Sequence, residues 1–353
     1  MKREMKREMK KVLITGGNGF VGHHLVEHLI KNTSWDIINI DKMTYASLGM
    51  DRLKDINVFD SKRVTNYVYD LTQPLSLGLK KEIGKVDYII NLASESHVDN
   101  SITNPREFVD NNVQLALTML EYAREIKPEK FIQFSTDEVY GTAPDGINYK
   151  EGDRYNSGNP YSASKAMQEC LCYAYSNTYK LNIQITNTMN VLGERQHPEK
   201  YLPLCINKIL SGDVLSIHSN EERTKAGTRF YIHARNVADA LLYILMNSDE
   251  YLDNIDSSKG KFHIVGEKEL DNLELAQLIE GAILKVDGYG SKKLNYKMVD
   301  FHSSRPGHDL RYAMSGEKMK KIGWSLPTSV EQSINNIIKW SLNKENLHWL
   351  EVN

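Results

Sequence analysis

Three cysteines in 353 residues are too few, and odd in number, for a disulfide framework. Cys170, Cys172 and Cys205 make no metal-ligand pattern either. No metal is expected, and the scarcity of cysteine fits a reducing, cytoplasmic setting. Long apolar runs are also missing: nothing approaches the roughly 20 residues that cross a bilayer, and the mean hydropathy is −0.48. No membrane partner is expected. An excess of either charge is absent, since 44 Lys and Arg against 46 Asp and Glu leave a net charge of −2. Proteins that hold nucleic acid by a global field are basic, so no nucleic acid is expected, whereas a small anion held by a few local cations is compatible. The first residues, two Met-Lys-Arg-Glu repeats over 1–8, carry charge but no apolar segment. They read as a solvated, disordered tail and not as a secretory leader.

What the chain does have is alternation. Short apolar runs at 11–15, 37–40, 64–69, 88–92 and 131–134 read as buried strands. Between them, 19–31 and 109–124 have helical spacing. Strands alternating with helices predict an α/β fold with a doubly wound parallel sheet of the Rossmann-like kind. After residue 190 the pattern changes. Helices are expected at 204–210, 237–246, 270–284 and 329–342, a short strand at 262–265, and a polar turn at 221–228. The expected organisation is a dinucleotide-binding lobe over 9–187 plus about 229–264. A smaller C-terminal α/β lobe would take about 188–228 plus 265–353 and bind the substrate. The chemistry is expected in the cleft between them.

Thr15-Gly16-Gly17-Asn18-Gly19-Phe20-Val21-Gly22 lies between the first strand and the first helix. Glycines at 16, 19 and 22 permit a tight turn, a close backbone approach to a pyrophosphate, and close packing of helix on strand. The helix N-terminus then offers free N–H groups and partial positive charge to the phosphates. A glycine triplet alone is a weak signal, but this one has the strand before it and the helix after it. Asp41 ends the second strand about 20 residues further on, where a carboxylate accepts the ribose hydroxyls of an adenosine. A carboxylate there repels a 2′-phosphate, which favours NAD over NADP. Lys42, beside it, weakens that preference. Asp70, after the third strand, is placed to meet adenine or to be a plain solvated carboxylate.

Tyr161-Ser162-Ala163-Ser164-Lys165 puts a tyrosine and a lysine four apart, on one face of a helix. An ammonium beside a phenol favours the phenolate, and such a tyrosine takes the proton of a hydroxyl whose carbon loses hydride. The same spacing also arises as an ordinary surface pair; following a dinucleotide fingerprint, it points to redox chemistry. Ser135-Thr136-Asp137-Glu138-Val139-Tyr140-Gly141 directly continues the strand at 131–134, and ligands of open α/β sheets bind beyond the C-terminal strand ends. Adjacent carboxylates in one site have separate tasks, one as acid and one as base. On a straight strand they would point to opposite faces, so both can face one ligand only if the chain turns at the strand end.

These residues resemble the dTDP-glucose 4,6-dehydratases of the extended short-chain dehydrogenase/reductase family. The resemblance runs from the glycine loop through Asp41-Lys42-Met43-Thr44-Tyr45-Ala46, Leu92-Ala93-Ser94-Glu95-Ser96-His97-Val98-Asp99 and the Ser-Thr-Asp-Glu-Val-Tyr-Gly run. It continues to Pro198-Glu199-Lys200 and Arg305-Pro306-Gly307-His308-Asp309. It implies a tightly bound NAD that is recycled. Tyr161, with Lys165, takes the C4 proton of the sugar as C4 hydride leaves, and Thr136 orients that hydroxyl. Glu138 removes the C5 proton, Asp137 protonates the departing C6 hydroxyl, and hydride returns to C6. The resemblance adds Phe20, Val21, Lys42, Thr44, Leu71, Leu92, Ala93, Ser94 and Asn111 to the cofactor contacts. It gives Ser96, Thr136, Asn190, Lys200, Arg229, Arg305 and His308 to the nucleotide sugar. For the two arginines there is an independent physical reason, since a guanidinium fork matches a diphosphate. It also implies a homodimer through helices 109–124 and 161–177.

The chain departs from that family at Val191-Leu192, where an Asn and a Tyr are usual, at Asn111 for Thr, and at Phe230-Tyr231 for Asp-Trp; the segment 220–228 is longer. These positions bear on the nucleotide base and leave the catalytic set intact. A 4-epimerase or decarboxylase on the same frame would share Tyr161 and Lys165 but leave Asp137 and Glu138 without work. A non-catalytic NAD sensor would have no need of the Tyr/Lys pair.

Overall fold

A computed structural model of the protein describes residues 9–248, 260–300 and 310–351. These residues form two compact units, each assembled from separated stretches of chain. The first takes the described residues of Met1–Thr136, Pro160–Asn187 and Ala238–Phe262. The second takes those of Asp137–Asn159, Thr188–Val237 and His263–Asn353.

In chain order the elements are β1 (Lys11–Thr15), α1 (Phe20–Asn32), β2 (Asp36–Asp41), α2 (Asp51–Asp55), β3 (Val64–Val68), α3 (Leu77–Ile83), β4 (Tyr88–Asn91), α4 (Val98–Thr103), α5 (Pro105–Ile126), β5 (Lys130–Thr136), α6 (Pro160–Tyr179) and β6 (Ile183–Thr188). There follow β7 (Asn190–Leu192), α7 (Tyr201–Ser211), β8 (Val214–Ser219), β9 (Thr228–His233), α8 (Ala234–Asn247), β10 (Lys261–Ile264), β11 (Glu269–Asp271), α9 (Asn272–Ile283), β12 (Asn295–Asp300), α10 (Glu317–Lys321) and α11 (Val330–Ser341).

The first unit is built on a seven-stranded sheet of order β10-β6-β5-β4-β1-β2-β3. The pairs β1–β2, β1–β4, β2–β3 and β4–β5 are parallel. Val12, Leu13 and Ile14 of β1 are all buried, as are Ile89 and Ile90 of β4. Successive residues of a strand point to opposite faces, so both faces of this sheet are covered, as a parallel sheet requires. Leu115, Ala116, Met119 and Leu120 of α5 and Cys172 and Tyr175 of α6 supply one layer of that cover. The chain winds outward from β1 to β3 and then crosses back to β4, so the strand order reverses between β1 and β4. In open sheets a ligand binds outside the carboxyl ends of the strands at such a reversal. Thr15 and Asn91 end the two strands at that reversal.

The second unit holds a three-stranded sheet, β11-β9-β7, and a two-stranded one, β12-β8. In the first, β9 is parallel to β7 and antiparallel to β11. Its core is aliphatic: Leu202, Ile206 and Ile209 of α7, Leu275 and Ile279 of α9, and Ile334, Ile337 and Ile338 of α11 pack with Leu215 and Ile217 of β8. The helix expected at 270–284 begins two residues late, because Glu269–Asp271 is taken as a strand beside β9. Asp271 then caps α9: its carboxylate accepts from the Glu274 N–H at 2.8 Å, and Glu274 accepts from the Asp271 N–H at 2.8 Å. This reciprocal box satisfies two donors that a helix start leaves open.

Ile279 is fully buried in that core, so Ile279→Ala removes three carbons and leaves a cavity. Urea unfolding is expected to show a loss of about 2–5 kcal/mol, against about 0.5–1.5 kcal/mol for Ile279→Val. Equal, negligible losses for the two variants would contradict this packing.

Candidate active site

The glycine loop has the geometry its sequence demands. Gly16 has φ +73°, and a Cβ there would sit 2.9 Å from the Ala93 Cα. At Gly22 a Cβ would lie 2.0 Å from the Gly16 carbonyl oxygen. The loop is pinned by the Gly16 N–H to the Ile40 carbonyl at 2.8 Å and by the Gly19 N–H to Gly16 at 3.1 Å. Gly19 caps α1 with no side-chain partner, so the first N–H groups of the helix stay available for an anion. Phe20 and Val21 form the first turn, both half-buried.

Asp41 ends β2 nearly buried, 8% exposed. Its two oxygens accept the Asn18 N–H at 3.0 Å and the Met43 N–H at 2.8 Å. Burial raises its pKa above the ordinary carboxylate range, against the lowering effect of those two N–H groups and of Arg52. The carboxylate is thus fixed in direction at the strand end, with lone pairs left for hydroxyl donors. Lys42 pairs not with Asp41 but with Asp70, Nζ to Oδ2 at 3.0 Å. Asp70 also accepts the Thr72 N–H at 3.0 Å and hydroxyl at 2.8 Å. Partial burial pushes its pKa up, but the Thr72 bonds and Lys42 outweigh that and leave it lowered. Thr44 caps a single 3-10 turn, Tyr45–Ser47, and Leu71 is buried. Leu92, Ala93 and Ser94 follow β4, with the Ala93 N–H donating to Thr15 Oγ1 at 3.1 Å.

A buried chain of polar side chains links this end of the sheet to α6. Thr15 donates to Asn91 (2.6 Å), Asn91 to Gln133 (2.8 Å) and Gln133 to Gln168 (3.0 Å). Gln168 donates to the Asn112 carbonyl at 2.6 Å, and Asn112 donates from its side chain to Ser164 at 2.9 Å. Ser164 donates to the Tyr161 carbonyl at 2.7 Å. The strand ends and the first turn of α6 are thereby held in one register. Asn112 also exchanges two hydrogen bonds with the Glu95 backbone, and Asn111 donates to it at 3.2 Å.

On α6, Tyr161 has its N–H on Ser101 Oγ at 3.2 Å and its ring edge-on to Phe108. Lys165, one turn on, is 2% exposed, and its ammonium donates to the Phe134 carbonyl at 2.7 Å. Burial lowers its pKa to about 8, against the raising effect of Glu169. At neutral pH it remains a cation.

The second unit begins with the two carboxylates. Asp137–Tyr140 is a 3-10 turn that follows β5 without a gap, so the turn required at the strand end is present. Asp137 is buried; Glu138 is half-buried and accepts from Asn159 at 3.1 Å. The turn is anchored by Tyr140, whose hydroxyl meets His263 Nε2 at 2.7 Å, and by the Asn156 N–H to the Val139 carbonyl at 2.9 Å. Gly141 closes it at φ +71°, where a Cβ would strike the Asn156 carbonyl at 2.2 Å.

Asn190 opens β7, exposed, and pairs in register with Tyr231 of β9. Arg229 is buried beside Tyr312, its guanidinium 4.6 Å from the ring centre, and one nitrogen donates to the Thr228 and Leu310 carbonyls. Lys200 caps α7 and lies 3.4 Å from Glu199. Ser96 is exposed on the first unit. Arg305 and His308 lie outside the described residues, as does the 1–8 tail. Reasoning from the sequence did not single out Asn112, Gln133, Gln168 or Asn159, since isolated amides carry no motif. Among the described residues no cluster of three or more His, Cys, Asp or Glu is arranged to hold a metal. No helix among them is long and apolar enough to cross a membrane.

Sheet order, glycine cradle and Tyr161/Lys165 together define a Rossmann-like fold of the short-chain dehydrogenase/reductase type. A family profile described as GDP-mannose 4,6 dehydratase matches residues 13–337, and the chain belongs to that family. It is 32% identical over 361 residues to a dTDP-glucose 4,6-dehydratase of Shigella flexneri, covering 97% of this chain and 94% of that one. It is equally similar, 32% over 332 residues, to the low-salt glycan biosynthesis protein Agl12 of Haloferax volcanii, with 94% and 98% covered. Among solved structures it resembles the dTDP-glucose 4,6-dehydratase DesIV of Streptomyces venezuelae, crystallised with NAD and TYD bound. That match has a TM-score of 0.80 at 30% identity and covers 97% of this chain and 100% of that one.

The contact of Gly22 with Gly16 gives a direct test of the cofactor cradle. Gly22→Ala is expected to abolish retention of NAD, read as cofactor absorbance carried through gel filtration. Gly78→Ala, where a Cβ meets nothing closer than 4.0 Å, should retain it fully. Retention by both variants would remove the cradle from the account.

Proposed function

We propose that the protein is an NAD-dependent nucleotide-sugar 4,6-dehydratase, with dTDP-glucose as substrate and the 4-keto-6-deoxy sugar nucleotide and water as products. The observation that carries this reading is the Thr136-Asp137-Glu138 sequence, with two consecutive carboxylates placed on a 3-10 turn at the end of β5. Loss of water needs one acid and one base; a dehydrogenase or an epimerase needs neither of these groups.

The chain fits NAD on its own geometry. Gly16 and Gly22 let the loop close against Ala93 and against the first turn of α1; the start of α1 would then hold the pyrophosphate, and Asp41 the adenosine ribose. Bound there, NAD supplies the acceptor for the C4 hydride and the source of the hydride given back at C6, so it is not consumed. Lys165 holds positive charge one helical turn from Tyr161, which favours the phenolate. Tyr161 removes the proton of the C4 hydroxyl, and Thr136 orients that hydroxyl. Oxidation at C4 acidifies the C5 proton, which Glu138 takes, its carboxylate steadied by Asn159. Asp137 delivers a proton to the C6 oxygen as it leaves, and Glu138 gives its proton back to C5 when hydride is added at C6. Arg229 and Lys200, with Arg305, supply positive charge to the diphosphate, and Asn190, Ser96 and His308 complete the substrate contacts.

The working form is a homodimer. Val109, Val113 and Leu117 of α5 are half-buried, Ala163 and Ala166 of α6 likewise, and Met167 is 43% exposed. These residues repeat at helical spacing, and an apolar face of this kind is stabilised by a second copy of itself. Three cysteines without a disulfide fit a cytoplasmic location.

The test is mass spectrometry after separate incubations with dTDP-glucose, UDP-glucose, CDP-glucose and GDP-mannose. dTDP-glucose should lose one water. Glu138→Gln and Asp137→Asn should each slow that loss by about 10²–10⁴-fold, the range for positioned acids and bases. Unchanged mass with epimerisation at C4, insensitive to both variants, would replace the dehydratase reading with an epimerase. Water loss from another of the four sugars would keep the reaction and change the base.

A further inference from the structure

Beneath the end of β5 lies a buried ion pair that none of the roles above employs. Lys261 of β10 and Glu169 of α6 meet at 2.7 Å with side chains 1% and 0% exposed. Glu169 Oε1 also accepts the Ser135 hydroxyl at 2.5 Å and the Asn187 amide at 2.7 Å. Asn187 uses the same amide nitrogen to donate to the Thr136 carbonyl at 2.9 Å. All five residues lie in the first unit. The Lys261 ammonium, the Ser135 hydroxyl and the Asn187 amide converge on the Glu169 carboxyl, and Lys261 supplies the countercharge.

Such a pair is costly to desolvate, and well-packed apolar residues often replace one without loss of stability. Its placement is informative. The carboxylate is hydrogen-bonded to the last two residues of β5, directly through Ser135 and through Asn187 to Thr136. It also stands one helical turn beyond Lys165, on the face that Lys165 occupies. One charged group therefore reaches both the strand end that presents Thr136 and the cation behind Tyr161.

We propose that Glu169, paired with Lys261, is a positioning residue for the C4 oxidation, fixing the end of β5 and providing the negative charge that stands behind Lys165. The proposal rests on the dehydratase reading and extends it to two residues that touch no substrate. Neutralising Glu169 takes away the charge that opposes deprotonation of Lys165, which burial already brings to about 8. Lys165 then loses its proton at lower pH, and the Tyr161 phenolate loses its support.

The experiment uses the NAD-bound enzyme and the double variant Glu169→Gln/Lys261→Met, which removes both charges of the pair together. The phenolate of Tyr161 is titrated by absorbance, taking the difference from the Tyr161→Phe protein in each background. Its midpoint is expected to rise by about one pH unit. The kcat for dTDP-glucose should fall about tenfold at neutral pH while KM stays unchanged. Ser135→Ala, which keeps the ion pair, should lower kcat without moving the midpoint. A midpoint unmoved in the double variant overturns the electrostatic role, and an unchanged kcat in Ser135→Ala overturns the strand-end role. If the double variant does not fold, Glu169→Asp keeps the charge and should leave the midpoint in place; a shift of the full unit there contradicts the proposal. A wild-type enzyme that removes water from none of the four sugar nucleotides would refute the proposed reaction, while the titration would still decide the part played by Glu169.

Discussion

The first turn of α1 lies directly on the loop that precedes it, so close that one methyl group on Gly22 would overlap the Gly16 carbonyl. Only glycine allows that approach, and much follows from it. The helix starts just after the carboxyl end of β1, beside which the strand order reverses. Because Gly16 is also pinned to Ile40, the same loop sets β2, and with it Asp41, beside the helix start. A cofactor bound here would meet oriented dipoles and a directed carboxylate.

The geometry is carried to α6 by a row of buried amides and hydroxyls, and each donor in it has an acceptor. Buried polar groups cost stability unless satisfied. A run of six, from Thr15 to Ser164, is tolerable only when all are placed in register. It therefore specifies one alignment of β1, β4, β5, α5 and α6, and so one placement of Tyr161. Hydrophobic packing alone permits sliding between helix and sheet; directional hydrogen bonds do not. Lys165 closes the row with its bond to Phe134, a charged group kept in a dry place by a carbonyl and a neighbouring carboxylate.

Elements buried on both sides were legible from sequence, because burial writes itself as a continuous apolar run. The strand expected at 11–15 is Lys11–Thr15, and the run ending at Asp41 is Asp36–Asp41. The exposed strands were not. β12 presents Asn295, Tyr296 and Lys297 to solvent, and β8 alternates. Their pairing joins stretches some 80 residues apart, and neither has a local signature. The start of α9 was available in Asp271 and Glu274, three apart, and was hidden by reading Leu270 as helical. In the site, the motif residues stood out because spacing encodes their chemistry. Glu169 and Lys261 did not, because a buried pair drawn from α6 and β10 looks in sequence like two surface charges. The amide row is silent for the same reason: its meaning lies in contacts between strands.

The central claim is that one hydride leaves C4 and returns at C6 of the same sugar. Its most direct test is to supply dTDP-glucose deuterated at C4 and locate the label in the product by mass spectrometry and NMR. Dehydration by the residues described predicts deuterium in the C6 methyl group. Deuterium retained at C4, or lost to solvent, would contradict the account.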